Sequence, residues 1–390
     1  MSKNNQSEIA AGILNDELIN KMRGKIGLSM RLDGYINNEE VTKSAIRRFA
    51  DGVGEVNPLW LDEDYAKDTR YGRLVAPPQW LWSVCGPFQF GWRGLAGFHS
   101  STEQTFYKPV LLGDKISPEV IFAGFDEPKT SKFGGRTIRD YYDHFYRNQE
   151  GELVAKMRLY VHRVERLKIA EKKKEEVLKL PHPWTDEELK GIEDEAMTEE
   201  IRGKMPRYWE DVNMGDALKP LVKGPFSLMD MIAFNSAGVI GGRLLAYGAA
   251  LRDYRKHPAW AYRDEDSCAL QPLMAVHFST KAARLQGLPY PYDVGVQRHC
   301  NMSHFLTNWM GDDGFLKRCY SEYRGFVYQS DVIHIKGKIT DKHVDEDNDH
   351  CVDIEISTTN QRGQECMPGK ATIALPSRDK GVWPLDGLLP

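Results

Sequence analysis

The sequence predicts an α+β protein that contains two copies of one domain. The first observation is that helical patterns are followed by several alternating, strand-like segments, which is typical of a helix packed on an antiparallel sheet. The second is an internal repeat, because Trp60 and His277 are 217 positions apart and Asp114 and Asp331 show the same separation. We therefore expect a duplicated domain whose copies form an intramolecular pseudo-dimer.

The first copy is predicted for residues 30–166, after a polar leader at residues 1–29 that contains one short helix. Its helical part begins with apolar residues at helical spacing, Val41, Ile46 and Phe49, and a second apolar helix is expected after Pro78. Alternating polar and apolar residues then predict antiparallel strands, with Gly151 in a hairpin turn.

The second copy is predicted for residues 206–378, with a tail at residues 379–390. A charge-rich segment at residues 167–205 indicates a partly helical, solvent-facing linker between the copies. An insertion at residues 239–273 has no strand pattern, and we expect it to form a lid over the binding pocket.

Composition excludes several classes of function. The net charge of -4 disfavours nucleic acid and anionic membranes as main partners. The six cysteines form no CxxC pair, so neither a zinc site nor a disulfide framework is indicated. No apolar run has the length of a membrane span and the N-terminal residues lack a signal-peptide pattern, so we predict a cytoplasmic protein.

The stretch from His277 to Gly314 is the strongest candidate for a site. A histidine precedes a loop rich in glycine and proline, GLPYPYDVG, and an apolar helix follows. The first backbone N–H groups of a helix have no intrahelical partner and carry partial positive charge. Because Gly295 lets a substrate oxygen approach the backbone, His277 and this helix start together suit proton transfer beside an oxyanion site.

Several motifs resemble the MaoC-like double-hotdog acyl dehydratases, which include (R)-specific enoyl-CoA hydratases. The hydratase motif of that family, G-D-x-N-P-L-H, is present here as GEVNPLW, with Glu55 and Trp60 in place of the catalytic aspartate and histidine. In the second half the resemblance lies in YWEDVNMGD, AVHFSTKAARLQGLPYPYDVGVQR and FVYQSDVIHIKGKI. It implies that His277 is the active-site histidine and that Gly295 is the oxyanion donor, but Pro272 occupies the position of the second motif's aspartate.

The resemblance implies a double hotdog fold, in which each copy is a central helix wrapped by an antiparallel sheet. It implies an acyl-CoA thioester as substrate and no metal or other cofactor. We expect a hydratase or dehydratase with one active site, acting on a bulky acyl group, as a homodimer or in a heteromer with another hotdog protein. A hotdog thioesterase and a non-catalytic acyl-CoA-binding subunit remain alternatives.

The missing carboxylate has four candidates. Asp293 is the first, although aspartate at that position also fits a helix N-cap. Asp264, Asp266 and Glu55 are the others. Arg298 is expected to bind a CoA phosphate or to pair with Asp293 or the Asp312-Asp313 couple. The remaining substrate contacts are predicted for Gln297, Tyr292, Trp60 and Asn57, whereas His299 and His304 are interpreted as structural and His99 as a pocket residue or a hydrogen-bonded strand histidine.

Overall fold

The computed structural model describes residues 12–87, 91–92, 94–130, 135–165, 178–239 and 244–386. The α-helices of these residues are α1 (Asp16–Arg23), α2 (Lys43–Val53), α3 (Pro58–Leu61), α4 (Glu63–Lys67), α5 (Asp186–Ala196), α6 (Leu228–Ser236), α7 (Tyr247–Lys256), α8 (Thr280–Leu285) and α9 (Gly295–Met310). The strands are β1 (Leu95–Phe106), β2 (Ser117–Phe125), β3 (Lys129–Thr130), β4 (Arg136–Arg147), β5 (Leu153–Glu165), β6 (Leu221–Lys223), β7 (Ala261–Arg263), β8 (Leu270–Pro272), β9 (Phe315–Glu322), β10 (Ile333–Val344), β11 (His350–Asn360) and β12 (Glu365–Leu375).

One antiparallel sheet runs through both copies. Its strand order is β2-β4-β5-β1-β9-β12-β11-β10-β6, and β3 adds to the side of β4. The two copies join where β1 pairs with β9, for example at Glu103 opposite Tyr320. The predicted duplication of an α+β domain, with a helix on a continuous sheet, is therefore confirmed.

Helix α9 is the central helix of the second copy. Fourteen of its sixteen residues are buried. Two glycines on the strands make room for it, because a Cβ on Gly369 would lie 2.7 Å from Sδ of Met302 and one on Gly337 would lie 3.0 Å from Cε1 of Phe305. The close approach of helix and sheet thus requires glycine at both strand positions.

The matching helix of the first copy is much shorter than expected. After Pro77 the chain forms a six-residue 3₁₀ helix, Pro78–Ser83, instead of a long apolar helix. The apolar run signals burial but does not fix the helix type, and Trp80, Leu81 and Trp82 are fully buried on the short 3₁₀ segment.

A buried polar network crosses the junction of the copies. Oε1 of Gln104 on β1 accepts hydrogen bonds from Nε2 of Gln79 and Nε2 of His299, both at 2.6 Å. Nδ1 of His299 accepts in turn from Oγ of Ser321, also at 2.6 Å. Burial lowers the pKa of His299 to about 3, so the ring is neutral and serves to connect α9 to both central strands, which agrees with its predicted structural role.

The N-terminal leader and the linker are more integrated than predicted. Residues 1–11 lie outside the described residues, but the expected short helix is present as α1, and Ile19 and Met22 are buried in the first copy. Helix α5 buries no side chain, as a solvent-facing linker should, whereas residues 167–177 lie outside the described residues. Beyond α5, Oε1 of Glu199 accepts from Nδ2 of Asn308 and lies 2.7 Å from Nε2 of His304.

The insertion is folded. It contains α7 and a separate two-stranded hairpin, β7 with β8, so the prediction that it has no strands was wrong. Each strand has only three residues, which is too short to show an alternating pattern in the sequence. No helix in the described part of the chain has the length and apolar character needed to cross a membrane.

Substitution of Gly52 tests the packing of α2 on α6. A Cβ there would lie 2.9 Å from Cα of Phe234 and 3.0 Å from the carbonyl oxygen of Ala233, so the two backbones must separate. We expect Gly52→Ala to lower the free energy of unfolding by about 1–3 kcal/mol. Gly191 in α5 is the matched control, because no atom lies within 4 Å of its added Cβ.

The control should change stability in the opposite direction. Gly191→Ala is expected to raise the free energy of unfolding by about 0.5–1 kcal/mol, since alanine favours the helix. Urea unfolding of both variants measures the difference. Equal effects of the two substitutions would contradict the described contact between α2 and α6.

Candidate active site

A cavity of about 430 Å³ lies between the two copies, at the N-terminus of α9. The first copy contributes Phe98, His99 and Leu159 to its walls, and the second contributes His277 and Gly295. The sequence prediction that His277 and Gly295 occupy one site is therefore consistent with the geometry. Their catalytic roles stay predictions.

His277 ends a short 3₁₀ helix, Leu273–His277, and lies against the loop that leads into α9. Its Nδ1 is 2.8 Å from the carbonyl oxygen of Tyr292, and the two rings make an edge contact with centroids 4.6 Å apart. Because a carbonyl can only accept, Nδ1 carries the ring proton and Nε2 has a lone pair. Burial lowers the pKa of His277, so the neutral form, which can act as a base, is favoured.

The start of α9 is uncapped and opens into the cavity. Val294 is the N-cap residue and offers no side-chain hydrogen bond, while Val294, Gly295 and Val296 all line the cavity. The first N–H groups of the helix therefore meet the cavity without an intrahelical acceptor. A Cβ on Gly295 would lie 3.4 Å from Nδ1 of His99 and 3.6 Å from Cε1 of Tyr323, so both side chains lie in contact distance of this helix start.

Asp293 and Arg298 form a buried, two-pronged ion pair. Nε of Arg298 donates to Oδ2 of Asp293 at 2.9 Å, and one terminal nitrogen donates to Oδ1 at 2.7 Å. The other terminal nitrogen donates to the carbonyl oxygens of Gly325 and Cys366. The pairing that the sequence offered as an alternative is confirmed. Asp293 is not the N-cap, and neither its proposed proton chemistry nor the proposed phosphate contact of Arg298 is favoured when these groups already bind each other.

The other predicted substrate contacts divide into two groups. Tyr292 lines the cavity beside His277, as expected. Gln297 does not; its Nε2 instead donates to the carbonyl oxygen of Asp230 at 3.4 Å. Trp60 and Asn57 line a second, much smaller cavity of about 40 Å³, and Oδ1 of Asn57 accepts from the N–H of Leu59. Their predicted contact with the substrate of the His277 site is therefore corrected.

The small cavity is the counterpart of the large one. Trp60 and Pro78, which correspond in the repeat to His277 and Gly295, both line it. A buried indole now fills the position of the histidine, and the helix after Pro78 is short. The pseudo-twofold relation of the copies places these residues in their own cavity, which explains why they are separate from His277.

None of the alternative carboxylates lines the large cavity. Asp264 binds Ser267 within an exposed loop, and Asp266 binds Nζ of Lys281 at 2.6 Å. Glu55 is buried in the first copy, where burial raises its pKa to about 8 despite the nearby Lys223. Asp293 is the only carboxylate among the described residues that line the cavity. Pro272, at the expected aspartate position, ends strand β8.

The predicted lid is also corrected. None of the described insertion residues, 239 and 244–273, lines the cavity of His277. The insertion instead packs beside the 3₁₀ helix that carries His277, where Tyr247, Tyr262 and Ala275 line a separate surface depression. The chain passes directly from β8 into that helix, so the insertion adjoins the segment that carries His277.

His99 is a site residue to which the sequence assigned no chemistry. It both lines the cavity and forms a hydrogen bond within its strand, with Nε2 2.7 Å from Oγ1 of Thr102, so the two sequence interpretations hold together. The repeat offered a signal, because His99 and Leu316 share the separation of 217 positions. His99 lines the large cavity, whereas the matching Leu316 lines the small one, which indicates a specific role for the histidine.

Comparison with known proteins agrees with this architecture. Residues 35–157 match a family model described as the FAS1-like, dehydratase domain region. A UPF0336 protein of Streptomyces avermitilis is 29% identical over 86 residues, which are 20% of this chain and 57% of that protein. One of Thermobifida fusca is 46% identical over 39 residues, 10% of this chain and 26% of that protein. The chain thus spans little more than half the length of the curated relatives it matches.

Solved structures match over nearly the whole chain. A MaoC-like dehydratase is 14% identical with a TM-score of 0.61, covering 91% of this chain and 99% of that one. A Mycobacterium tuberculosis protein described as a double hotdog is 10% identical with a TM-score of 0.53, covering 90% and 96%. The chain has a double hotdog fold. The predicted resemblance to MaoC-like dehydratases is confirmed at the level of the fold and of the first domain.

The pKa of Glu55 predicts a stability that depends on pH. A carboxyl whose pKa rises from 4.5 to about 8 on folding contributes stability that is complete below pH 4.5 and is lost as the pH rises through 8. We expect wild type to lose roughly 3–5 kcal/mol between pH 4.5 and 9 relative to Glu55→Gln. Denaturant unfolding at several pH values measures this, with Glu103→Gln on the exposed side of β1 as control. Parallel curves for wild type and Glu55→Gln would refute the prediction.

Proposed function

We propose that the protein is an acyl-CoA hydratase or dehydratase with one active site per chain, at the large cavity between the copies. The observation that carries this proposal is that an unprotonated ring nitrogen of His277 and the uncapped start of α9 belong to one cavity. A base and an oxyanion site are the two elements that reversible addition of water to a 2-enoyl thioester needs.

The reaction follows from these two elements. Nε2 of His277 accepts a proton from water while the hydroxide adds to C3 of the enoyl group. Negative charge then moves to the thioester oxygen, where the N–H groups of Gly295 and Val296 and the positive end of α9 stabilise it. The protonated imidazole returns the proton to C2, which gives the 3-hydroxyacyl thioester. Dehydration is the same sequence in reverse.

The acyl group is proposed to lie against apolar walls from both copies. Phe98, Leu159 and Val164 of the first copy face this cavity together with Phe326 of the second. A volume of about 430 Å³ is within the usual range for a small-molecule pocket, and the apolar lining favours a bulky acyl chain. The degenerate copy thus supplies one wall of the pocket. The cytoplasmic location and the association into a homodimer or heteromer stay predictions.

Hydration is favoured over thioester hydrolysis for a specific reason. A hotdog thioesterase of the expected kind uses a carboxylate to activate water at the carbonyl carbon. Asp293 is the only described carboxylate that lines the cavity, and both of its oxygens bind Arg298. Both carboxylate oxygens are therefore already engaged as acceptors of guanidinium N–H groups.

The test of the site is substitution of His277. We expect His277→Ala to lower kcat/KM for hydration of 2-enoyl-CoA thioesters by about 10²–10⁴-fold, since the base is removed. His257→Ala is the matched control, because that histidine is exposed in the insertion. Enoyl absorbance and free thiol are followed in parallel over a panel of acyl groups.

The other outcomes distinguish the alternatives. Thiol release that depends on His277 would identify a thioesterase and contradict the proposal. Tight binding of CoA thioesters without turnover would identify a non-catalytic binding subunit. Hydration that survives in His277→Ala would place the active site elsewhere.

A further inference from the structure

We propose that His99, from the copy without a catalytic histidine, donates a hydrogen bond to the thioester oxygen and so completes the oxyanion site at the start of α9. This inference rests on the proposed function for the identity of the substrate. It gives the first copy a direct part in the chemistry, beyond its apolar wall.

A β-bulge positions the side chain. In the pairing of β1 with β5, His99 lies opposite Val161 and Ser101 lies opposite Tyr160, so Ser100 is the extra residue. The carbonyl oxygen of Ser100 accepts from the N–H of Tyr323 at 2.8 Å, which ties the bulge to the end of β9. Bulges commonly redirect a side chain near an active site, and here the imidazole lines the cavity.

The imidazole lies beside the first turn of α9. A Cβ built on Gly295 would be 3.4 Å from Nδ1 and 3.5 Å from Cβ of His99. The ring of Tyr323 closes the other side, with ring centroids 4.5 Å apart. In this proposal the thioester oxygen lies between this helix start and Nδ1 of His99.

The hydrogen bonds around the ring are compatible with the tautomer that this role needs. Nε2 is 2.7 Å from Oγ1 of the buried Thr102, and that oxygen is 3.4 Å from the hydroxyl of Tyr323. The chain is satisfied when Tyr323 donates to Thr102 and Thr102 donates to Nε2. Nδ1, which lies 3.4 Å from the Cβ built on Gly295, then carries the ring proton.

The ring is a neutral donor. Burial lowers the pKa of His99 to about 3, and the nearby His299 and Arg298 act in the same direction. A neutral imidazole can donate a hydrogen bond to a developing oxyanion without giving up its proton, which separates this role from that of His277.

The small cavity of about 40 Å³ provides an internal comparison. At the positions that match His277, Gly295 and His99, it has Trp60, Pro78 and Leu316, and all three line it. The donor at the third position thus lines only the cavity that the base and the glycine also line. If the three positions share one function, all three residues should be replaced together, as they are in the small cavity.

The first experiment compares three variants with wild type on the best enoyl-CoA substrate. His99→Leu introduces the residue type of Leu316, the matching position in the small cavity. It is expected to lower kcat by about 10²–10³-fold with KM changed less than about threefold. His99→Gln keeps an N–H donor and should recover a large part of this loss. His257→Gln is the control, because His257 is exposed in the insertion and does not line this cavity.

A second measurement does not need turnover. In a His277→Ala background, binding of trans-cinnamoyl-CoA should shift its absorbance to longer wavelength, because donors at the carbonyl oxygen polarise the conjugated thioester. Adding His99→Leu should remove most of the shift, while adding His257→Gln should leave it unchanged.

The two measurements separate the two claims. Unchanged kcat, or an unchanged spectral shift, in the folded His99→Leu protein would overturn the role of His99 while leaving the hydratase proposal intact. Absence of hydration by wild type would overturn the proposed function, and the spectral shift would still report on His99. If His99→Leu does not fold, the same two comparisons are made with Thr102→Val, which removes the donor to Nε2 and is expected to reduce both signals.

Discussion

The antiparallel pairing of β1 with β9 is the interaction on which the arrangement of this protein depends. It joins five strands from each copy into one ten-stranded sheet and brings the start of α9 beside a strand of the other copy. The network around Gln104 and His299 fixes this junction with buried hydrogen bonds, which are costly to break once they are desolvated. The cavity of His277 exists only because of this junction, since its walls come from both sides.

The two copies differ in the volume of the cavity beside their central helix. In the first copy Trp60 fills the histidine position and the central helix is reduced to one short 3₁₀ segment, which leaves about 40 Å³. In the second copy a long helix with an open N-terminus faces about 430 Å³. The two copies thus differ in the residue at the histidine position, in the length of the central helix and in the volume of the adjoining cavity.

Much of the fold was predictable from the sequence because its signals are local or periodic. The alternation of strands, the apolar spacing of α9 and the fixed separation of Trp60 from His277 each depend on a few neighbouring residues or on one repeat distance. The site was less predictable because it depends on contacts across the pseudo-twofold axis. Spacing brought His277 and Gly295 together, but it could not show that Arg298 already binds Asp293 or that Trp60 and Asn57 belong to the other cavity.

The central claim, addition of water to C3 of an intact thioester, is tested most directly by an isotope. A 2-enoyl-CoA is incubated with the protein in water enriched in ¹⁸O, and the products are separated and analysed by mass spectrometry. The account predicts that ¹⁸O appears in the hydroxyl group of a 3-hydroxyacyl-CoA whose thioester is intact. Appearance of ¹⁸O in the carboxylate of a free acid, with an equal amount of free CoA, would contradict it.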